Sequence, residues 1–257
     1  MSVNFMGYPI FVGDVAACAE EIVAEAKSER RDCRIMACLN PHSFVVARDD
    51  LVFRAVLERA DWLIPDGSGI VMAARWLGLP TRARVSGPDV FQAVMERLDQ
   101  CKGSVFFIGS SDATLAKIRA RIATDYPGVV LAGTYSPPFK PEFTAEDNAA
   151  MIAAVNAGRP DVLWVGMTAP KQEKWLAKHR TYLEVGVAGA VGAAFDFFAG
   201  TVKRSPRVFQ AIGLEWLPRF IQQPRRLWRR IFISAPVFLA EVERHRQLRG
   251  RARKGNY

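Results

Sequence analysis

The first 200 residues alternate short apolar runs with amphipathic segments, and this alternation limits the possible folds more than any other feature of the chain. The apolar runs have the length of buried strands, and the segments between them have helical spacing. Strands that alternate with helices of about 10–15 residues form βαβ units, in which the strands pair in parallel. The sequence therefore predicts an α/β fold with a Rossmann-like, mainly parallel sheet and helices on both faces. The predicted strands cover residues 35–39, 62–64, 105–108, 129–132, 162–165 and 185–188.

The positive charge of the chain is concentrated at its C-terminal end. The net charge is +9, but residues 201–257 alone carry 14 Lys or Arg and 3 Asp or Glu, which gives +11 and leaves −2 for residues 1–200. The C-terminal segment mixes aromatic residues with arginines and predicts basic amphipathic helices, broken at Pro218, Pro224 and Pro236. Such helices bind anionic lipid surfaces. We therefore divide the chain into an α/β domain, residues 1–200, and a basic helical appendage, residues 201–257.

The sequence argues against a secreted or membrane-spanning protein. The four cysteines show neither the C-x-x-C spacing of paired metal ligands nor the density of a disulfide framework. The N-terminus lacks the basic and apolar regions of a signal peptide. No apolar run approaches the roughly 18 residues of a spanning helix. We expect a cytoplasmic protein that contacts the inner face of the cell membrane peripherally.

Motifs for common cofactors are missing from the sequence. There is no P-loop, and the spacing of Gly186, Gly189 and Gly192 departs from the dinucleotide-binding fingerprint. An Asp-x-Asp pair, which many nucleotide-sugar enzymes use to hold a divalent metal against a diphosphate, is also absent. We expect no metal and no cofactor. Cationic side chains or helix dipoles would then have to neutralise a leaving diphosphate.

Several polar residues follow predicted strands, at the edge of the sheet where ligands of α/β proteins bind. Asp66 is held between Pro65 and Gly67, where it is either a general base or the cap of the following helix. The segment that contains Gly109 and Ser110 either offers backbone N–H groups to a phosphate or simply begins a helix. Gln172 and His42 lie at other helix starts and can contact a ligand or remain at the surface. The candidate residues from this reasoning are His42, Asp66, Gly109, Ser110 and Gln172.

Several longer motifs, in order along nearly the whole chain, resemble the WecG/TagA/CpsF glycosyltransferases, which form glycosyltransferase family 26. The first block comprises residues 39–43, 60–69 and 84–89. Residues 165–173 are similar to the Gly-x-x-x-Pro-Lys-Gln-Glu signature of that family. Residues 189–200 resemble its glycine-rich segment, and residues 203–206 and 214–219 resemble its C-terminal signature.

The resemblance implies an inverting, metal-independent glycosyltransferase. The donor would be a UDP-sugar and the acceptor a polyprenyl-diphosphate-linked saccharide at the inner leaflet. The products of such enzymes enter teichoic acid, enterobacterial common antigen, capsule or exopolysaccharide. Residues 1–200 would be the catalytic domain, and residues 201–257 would dock on anionic lipids and complete the active site.

The resemblance also assigns roles to individual residues. Asp66 would be the general base that deprotonates the acceptor hydroxyl. Asn40 and Arg84 would line the sugar or diphosphate site, Gln172 would contact the donor sugar or the acceptor, and Asp196 would contact the ribose. The arginines expected to offset charge on the departing UDP are Arg219, Arg226 and Arg229.

Two positions depart from the pattern of the family. Cys38 stands where some relatives carry Thr, and a thiol is a poor hydrogen-bond donor. The segment after residue 133 lacks the usual Gly-Tyr-Phe ending of the family. Stacking of Tyr135 or Phe139 on the base of the nucleotide is therefore expected without support from a family motif. Two other classes stay open: a basic nucleic-acid-binding protein and a nucleotide-sugar-modifying enzyme. The exposed apolar appendage also allows a homo-oligomer.

Overall fold

Residues 1–81, 85–206, 208–209 and 214–254 are described in the computed structural model, with side chains omitted at 226 and 250–254. Eight strands in this part of the chain are β1 (Ser2–Phe5), β2 (Tyr8–Phe11), β3 (Arg34–Leu39), β4 (Trp62–Pro65), β5 (Ser104–Gly109), β6 (Val130–Tyr135), β7 (Val162–Gly166) and β8 (Val187–Ala190). They form one sheet in the order β1-β2-β4-β3-β8-β7-β5-β6. Only the β1–β2 pair is antiparallel among these pairings, which confirms the predicted mainly parallel α/β sheet.

Helices cover both faces of the sheet. One face packs against α1, α5, α6 and α9, and the other against α2, α3, α4, α7 and α8. This two-sided cover explains why the central strands are apolar almost throughout. The bounds are α1 (Val15–Ala26), α2 (Pro41–Asp49), α3 (Leu51–Glu58), α4 (Ser68–Trp76), α5 (Gly87–Gln100), α6 (Asp112–Asp125), α7 (Ala145–Gly158), α8 (Lys171–His179) and α9 (Ala194–Phe198).

The hairpin of β1 and β2 was not predicted from the sequence. Its two turn residues, Met6 and Gly7, both have positive φ, at 51° and 97°. This is the conformation of a tight hairpin turn. Such turns usually contain Asn-Gly or Asp-Gly in the sequence, whereas this one contains Met-Gly. The Asn4 side chain accepts a hydrogen bond from the Gly7 N–H at 2.8 Å and helps to hold the turn. Strands of four residues with an unusual turn give too little periodicity to be recognised.

The C-terminal segment is helical as predicted, but only one of the three predicted helix breaks is present in its described part. After α10 (Trp216–Gln222) and α11 (Pro224–Arg229), a π-helical turn (Arg230–Ser234) leads directly into α12 (Ala235–Lys254). Of the three predicted breaks only the one at Pro224 is correct. Pro218 lies in the first turn of α10, where no intrahelical N–H is needed. Pro236 follows the π turn. Because the hydrogen-bond pattern changes at this turn, the helix continues through Pro236 although this residue has no N–H to donate.

The last helix contributes to the hydrophobic core of the sheet. Phe238 and Val242 of α12 are fully buried. The Phe238 ring lies 5.3 Å from the ring of Phe44 on α2 and 6.3 Å from that of Phe5 on β1. Within the described residues, no helix combines the length and the apolar character needed to cross a bilayer.

Candidate active site

A cavity of about 740 Å³ opens at the carboxyl ends of β3, β4, β7 and β8. The sheet order reverses between β3 and β8, and such a switch point is where α/β folds form their ligand crevices. The cavity is lined by the loops after these strands and by residues of α4, α10, α11, the π turn and α12. The predicted site residues that line the cavity are Asn40, His42, Asp66, Gln172 and Arg219.

The loop after β3 is fixed by a capping box. The Asn40 side chain accepts a hydrogen bond from the Ser43 N–H at 2.9 Å, and the Ser43 hydroxyl accepts one from the Asn40 N–H at 2.7 Å. Pro41 occupies the first helical position, as the sequence predicts. This local arrangement places Asn40 and His42 at the cavity wall.

The loop after β4 carries Asp66 into the same cavity. Its backbone N–H donates to the Leu39 carbonyl at 2.8 Å, which extends the β3–β4 pairing by one residue. Its carboxylate accepts a hydrogen bond from the Gly87 N–H, at 3.1 Å, in the first turn of α5. A carboxylate at a helix N-terminus is stabilised by the helix dipole. Asp66 is thus oriented by a helix distant in sequence while it lines the cavity.

The cavity lining includes a buried Gln172–Glu173 pair at the start of α8. The two side chains are 3% and 2% exposed, and the Gln172 amide donates to Glu173 Oε1 at 2.9 Å. Gln172 Oε1 and Glu173 Oε2 have no hydrogen-bond partner in the protein. Burial raises the pKa of Glu173 to about 7, against the opposing effect of the Gln172 hydrogen bond. The buried Glu173 was missed from the sequence because a charged residue in the first turn of a helix is usually exposed.

The partly buried Cys38 lies beside these carboxylates at the end of β3. Burial raises the pKa of its thiol, and the neighbouring Asp66 and Glu173 carboxylates raise it further. The thiol is therefore held in its neutral form. It occupies the cavity wall as a small, weakly polar group.

The helices after residue 214 supply two cationic groups to the cavity lining. Arg219 on α10 stacks over the Phe197 ring with 5.0 Å between the guanidinium carbon and the ring centroid. Arg230 on the π turn also lines the cavity, and sequence reasoning missed it because it is one of many arginines in this segment. His42 Nδ1 and Ser234 Oγ are 2.8 Å apart and join α2 to the π turn. Burial and the nearby Arg230 and Arg229 lower the pKa of His42 to about 4, so its ring is neutral at pH 7.

Arg204 connects the segment after the sheet to the helix that orients Asp66. Its guanidinium lies 2.6 Å from Asp89 and 3.4 Å from Glu215, and it donates to the Ser86 hydroxyl at 3.3 Å. Ser86 and Asp89 belong to the first turn of α5 and its cap. The start of α5 is therefore held from two sides, by Asp66 and by Arg204.

Other predicted site residues lie away from this cavity. Gly109 packs so closely on β7 that a Cβ would lie 2.6 Å from the Gly166 carbonyl, and the Ser110 N–H donates to that same carbonyl at 3.1 Å. The Ser110 N–H, which the sequence analysis offered to a phosphate, thus donates to the backbone of β7. Those that do not line the cavity are Gly109, Ser110, Tyr135, Asp196 and Arg229. Arg84 lies outside the described residues, and the side chain of Arg226 is not described.

No group of three or more His, Cys, Asp or Glu side chains within the described residues is arranged to hold a metal ion. The groups suited to a phosphate are instead the cavity arginines, because a guanidinium can bind phosphate oxygens in a bidentate manner.

Comparison with known proteins identifies close relatives. A profile of the Glycosyl transferase WecG/TagA/CpsF family matches residues 3–253. An N-acetylglucosaminyldiphosphoundecaprenol N-acetyl-beta-D-mannosaminyltransferase of Bacillus spizizenii is 34% identical over 206 residues, which cover 80% of this chain and 77% of the relative. A protein of the same name from Bacillus subtilis is 28% identical over 208 residues, covering 81% and 78% of the two chains.

Proposed function

The chain belongs to the WecG/TagA/CpsF family of glycosyltransferases, and on this basis we propose that it transfers a sugar from a UDP-sugar to a polyprenyl-diphosphate-linked saccharide, with inversion and without a metal. The observation that carries the proposal is the position of Asp66. Asp66 lines the same cavity as Arg219 and Arg230. A carboxylate able to accept a proton and guanidiniums able to bind phosphate therefore share one cavity, which supports the proposal.

The reaction is a single in-line displacement. Asp66 accepts the proton of the acceptor hydroxyl, and the oxygen attacks the anomeric carbon of the donor. The bond from that carbon to the diphosphate oxygen breaks, and its electron pair leaves with UDP. We assign the neutralisation of the developing charge to Arg219, and Arg230, which also lines the cavity, is a further candidate that the sequence did not single out. Arg84 remains a proposed substrate-binding residue and Arg226 a proposed leaving-group residue. Arg229 does not line the cavity, and we assign it to the membrane-facing surface below.

The names of the two Bacillus relatives support a more specific substrate class. Both are named as transferases of N-acetylmannosamine to an N-acetylglucosaminyl-diphosphoundecaprenol acceptor. We extend the acceptor class, a polyprenyl-diphosphate-linked saccharide, to this chain. Its product would then be used in cell-surface polysaccharide synthesis.

The proposal is tested by measuring UDP release. A panel of UDP-sugars is mixed with the enzyme and a short-chain polyprenyl-diphosphate N-acetylglucosamine, with and without a metal chelator. We expect release that depends on the acceptor and is unchanged by the chelator. Release that needs a divalent metal would contradict the metal-independent mechanism. Absence of acceptor-dependent release from every donor would contradict the proposed activity.

Replacing Arg219 with Gln is expected to lower kcat/KM by about tenfold to hundredfold, because a charged hydrogen bond to the leaving diphosphate is lost. The matched control is Arg244→Gln, which removes an exposed guanidinium on α12. Both variants are assayed by UDP release with a soluble acceptor, so that membrane binding does not contribute. Equal rates for the two variants would remove Arg219 from the mechanism.

We also propose that the C-terminal helices dock on the anionic inner face of the membrane. Ile221, Trp228 and Phe232 are exposed apolar side chains close in sequence to the exposed Arg225 and Arg229. Apolar side chains beside arginines suit the boundary between acyl chains and acidic headgroups.

Neutralising Arg225 and Arg229 together with Gln is expected to weaken binding to anionic vesicles roughly 30-fold, since each basic residue near such a surface contributes about 1 kcal/mol. The control neutralises Lys102 and Lys117, which are exposed on α/β elements. Co-sedimentation with vesicles containing phosphatidylglycerol measures the affinity. If the two double variants bind equally well, these arginines do not face the membrane.

A further inference from the structure

The base and the leaving-group cation of the proposed mechanism belong to different parts of the chain. Asp66 follows β4, whereas Arg219 lies on α10, beyond β8, and both line the same cavity. In an in-line displacement the attacking and leaving oxygens lie on opposite sides of the anomeric carbon. An error of about 1 Å in the position of a catalytic group can cost about 10²-fold in rate. The spacing of Asp66 and Arg219 therefore has to be fixed by contacts between the two parts of the chain.

The guanidinium of Arg204 bridges the starts of α5 and α10. Its Nη1 lies 2.6 Å from Asp89 Oδ1, and its Nη2 donates to Ser86 Oγ at 3.3 Å. Its Nε lies 3.4 Å from Glu215 Oε1. Ser86 and Asp89 form the cap and the first turn of α5, and Glu215 immediately precedes the first residue of α10. The three nitrogens of one planar group thus contact two separate helix starts.

The α5 side of this bridge leads directly to Asp66. Ser86 Oγ donates to Asp89 Oδ2 at 2.5 Å and accepts from the Asp89 N–H at 3.4 Å. The next residue after the cap, Gly87, donates its N–H to Asp66 Oδ1 at 3.1 Å. A Cβ at Gly87 would lie 2.7 Å from Cys38 Sγ, so the start of α5 packs closely on the end of β3. A shift of the cap would therefore move the hydrogen-bond donor that orients the base.

The α10 side of the bridge leads to Arg219. Ser205, which follows Arg204 in the sequence, is buried, and its hydroxyl donates to the Glu215 carbonyl at 2.6 Å. Two consecutive residues thus hold the carboxylate and the carbonyl of Glu215. Arg219 lies about one helical turn after Glu215, on a helix of seven residues. In so short a helix, the position of the start largely decides where Arg219 lies.

The bridge depends on the shape of the guanidinium as well as on its charge. The Arg204 side chain is 23% exposed, so its contacts are made mostly within the protein. Arginine presents its donors in a rigid planar fork, whereas the ammonium of lysine is a point charge on a flexible stem. A lysine at this position would keep the positive charge but could not reproduce the three contacts together.

We propose that Arg204 is a positioning residue for sugar transfer, which sets the spacing between Asp66 and Arg219 by joining the start of α5 to the start of α10. This role rests on the proposed glycosyl transfer. Arg204 itself does not line the cavity, so it acts through the two groups that it positions rather than on the substrate.

The test is a double-mutant cycle that combines Arg204→Lys with Asp66→Asn and, separately, with Arg219→Gln. UDP release with a soluble acceptor measures the rates. On its own, Arg204→Lys is expected to lower kcat about tenfold to hundredfold. For the UDP-sugar, kcat/KM should fall by the same factor, because the spacing matters in the transition state rather than in binding of the donor. In either variant background the same substitution should cost at least about threefold less, because groups that act as a unit are not additive.

The matched control is Arg34→Lys. The Arg34 guanidinium also joins two carboxylates, at 3.4 Å from Glu25 on α1 and 2.8 Å from Asp61 before β4, but it does not line the cavity. Urea denaturation measures the stability of both lysine variants. Arg34→Lys should keep the wild-type kcat, so a loss of rate that comes only from general destabilisation would be seen in this variant too.

A second variant, Asp89→Asn, weakens only the α5 half of the bridge and takes the place of Arg204→Lys in the cycle if the latter does not fold. The Asp89 side chain does not line the cavity, so it is not expected to touch the substrate. A wild-type rate in the folded bridge variant, or an equal fold loss in all three backgrounds, would overturn the positioning role. A wild-type enzyme that releases no UDP from any pair of substrates would instead overturn the proposed function, so the two failures are distinguishable.

Discussion

Replacing Asp66 with Asn is expected to lower the rate of sugar transfer by about 10²–10⁴-fold, the usual contribution of a positioned general base. The amide retains an oxygen that can accept from the Gly87 N–H, so the loop after β4 should keep its position. It cannot take the proton of the acceptor hydroxyl. UDP release measures the rate, and calorimetric titration with UDP should show that nucleotide binding is retained.

The control for this variant is Asp99→Asn. The Asp99 carboxylate also accepts a backbone N–H, from Gly128 at 2.6 Å, but it lies away from the cavity. Asp99→Asn therefore measures how the loss of one such carboxylate charge affects stability and activity in general. If Asp66→Asn turns over at nearly the wild-type rate, Asp66 is not the base. If it loses UDP binding together with turnover, its role is in binding rather than in proton transfer.

Local signals in the sequence locate some of the helix starts in the structure. The residue types in the sequence indicate an N-cap at Asn40, and their spacing indicates a capping box from Thr144 to Asp147; the hydrogen bonds of the structure confirm both. Caps are formed by residues three positions apart, so the sequence contains all that determines them. The apolar runs place the ends of β3, β4, β5 and β7 to within one residue, whereas β6 ends three residues and β8 two residues later than predicted.

Contacts between segments that are distant in sequence could not be predicted from local sequence signals. The hydrogen bond from Gly87 to Asp66 and the ion pair of Arg204 with Asp89 depend on how α5 is placed against β4 and on the path of the chain after the sheet. Glu173 illustrates the same limit, because its burial is set by packing rather than by its neighbours in sequence. Arg229 and Arg230 are adjacent and identical, yet only Arg230 lines the cavity. A helical pattern interrupted by a π turn does not reveal which one faces inward.

The composition change after residue 200 predicted the basic helices but not their attachment to the core. The sequence pattern of α12 is dominated by charged residues, and the apolar positions that anchor it are few. Phe238 packs edge-on against Phe44, and this contact joins the last helix to α2, the helix that begins at Asn40. The helix that follows the π turn of Arg230 is thus attached to the core through Phe238, a residue that also lines the cavity.

Replacing Phe238 with Ala is accordingly expected to destabilise the protein by about 3–5 kcal/mol, the usual cost of truncating a buried aromatic ring. The cavity left between α12, α2 and β1 should also loosen the π turn and lower the rate of transfer. Urea denaturation measures the free energy of unfolding, and UDP release measures the rate under conditions where the variant is folded.

The control is Leu248→Ala on the same helix, where the side chain is 56% exposed. Its effect should stay within about 0.5 kcal/mol, as for other surface changes. A loss of stability in Phe238→Ala as small as that of Leu248→Ala would mean that α12 is not anchored through this ring. Full stability loss with an unchanged rate would mean instead that the anchor does not position the arginines.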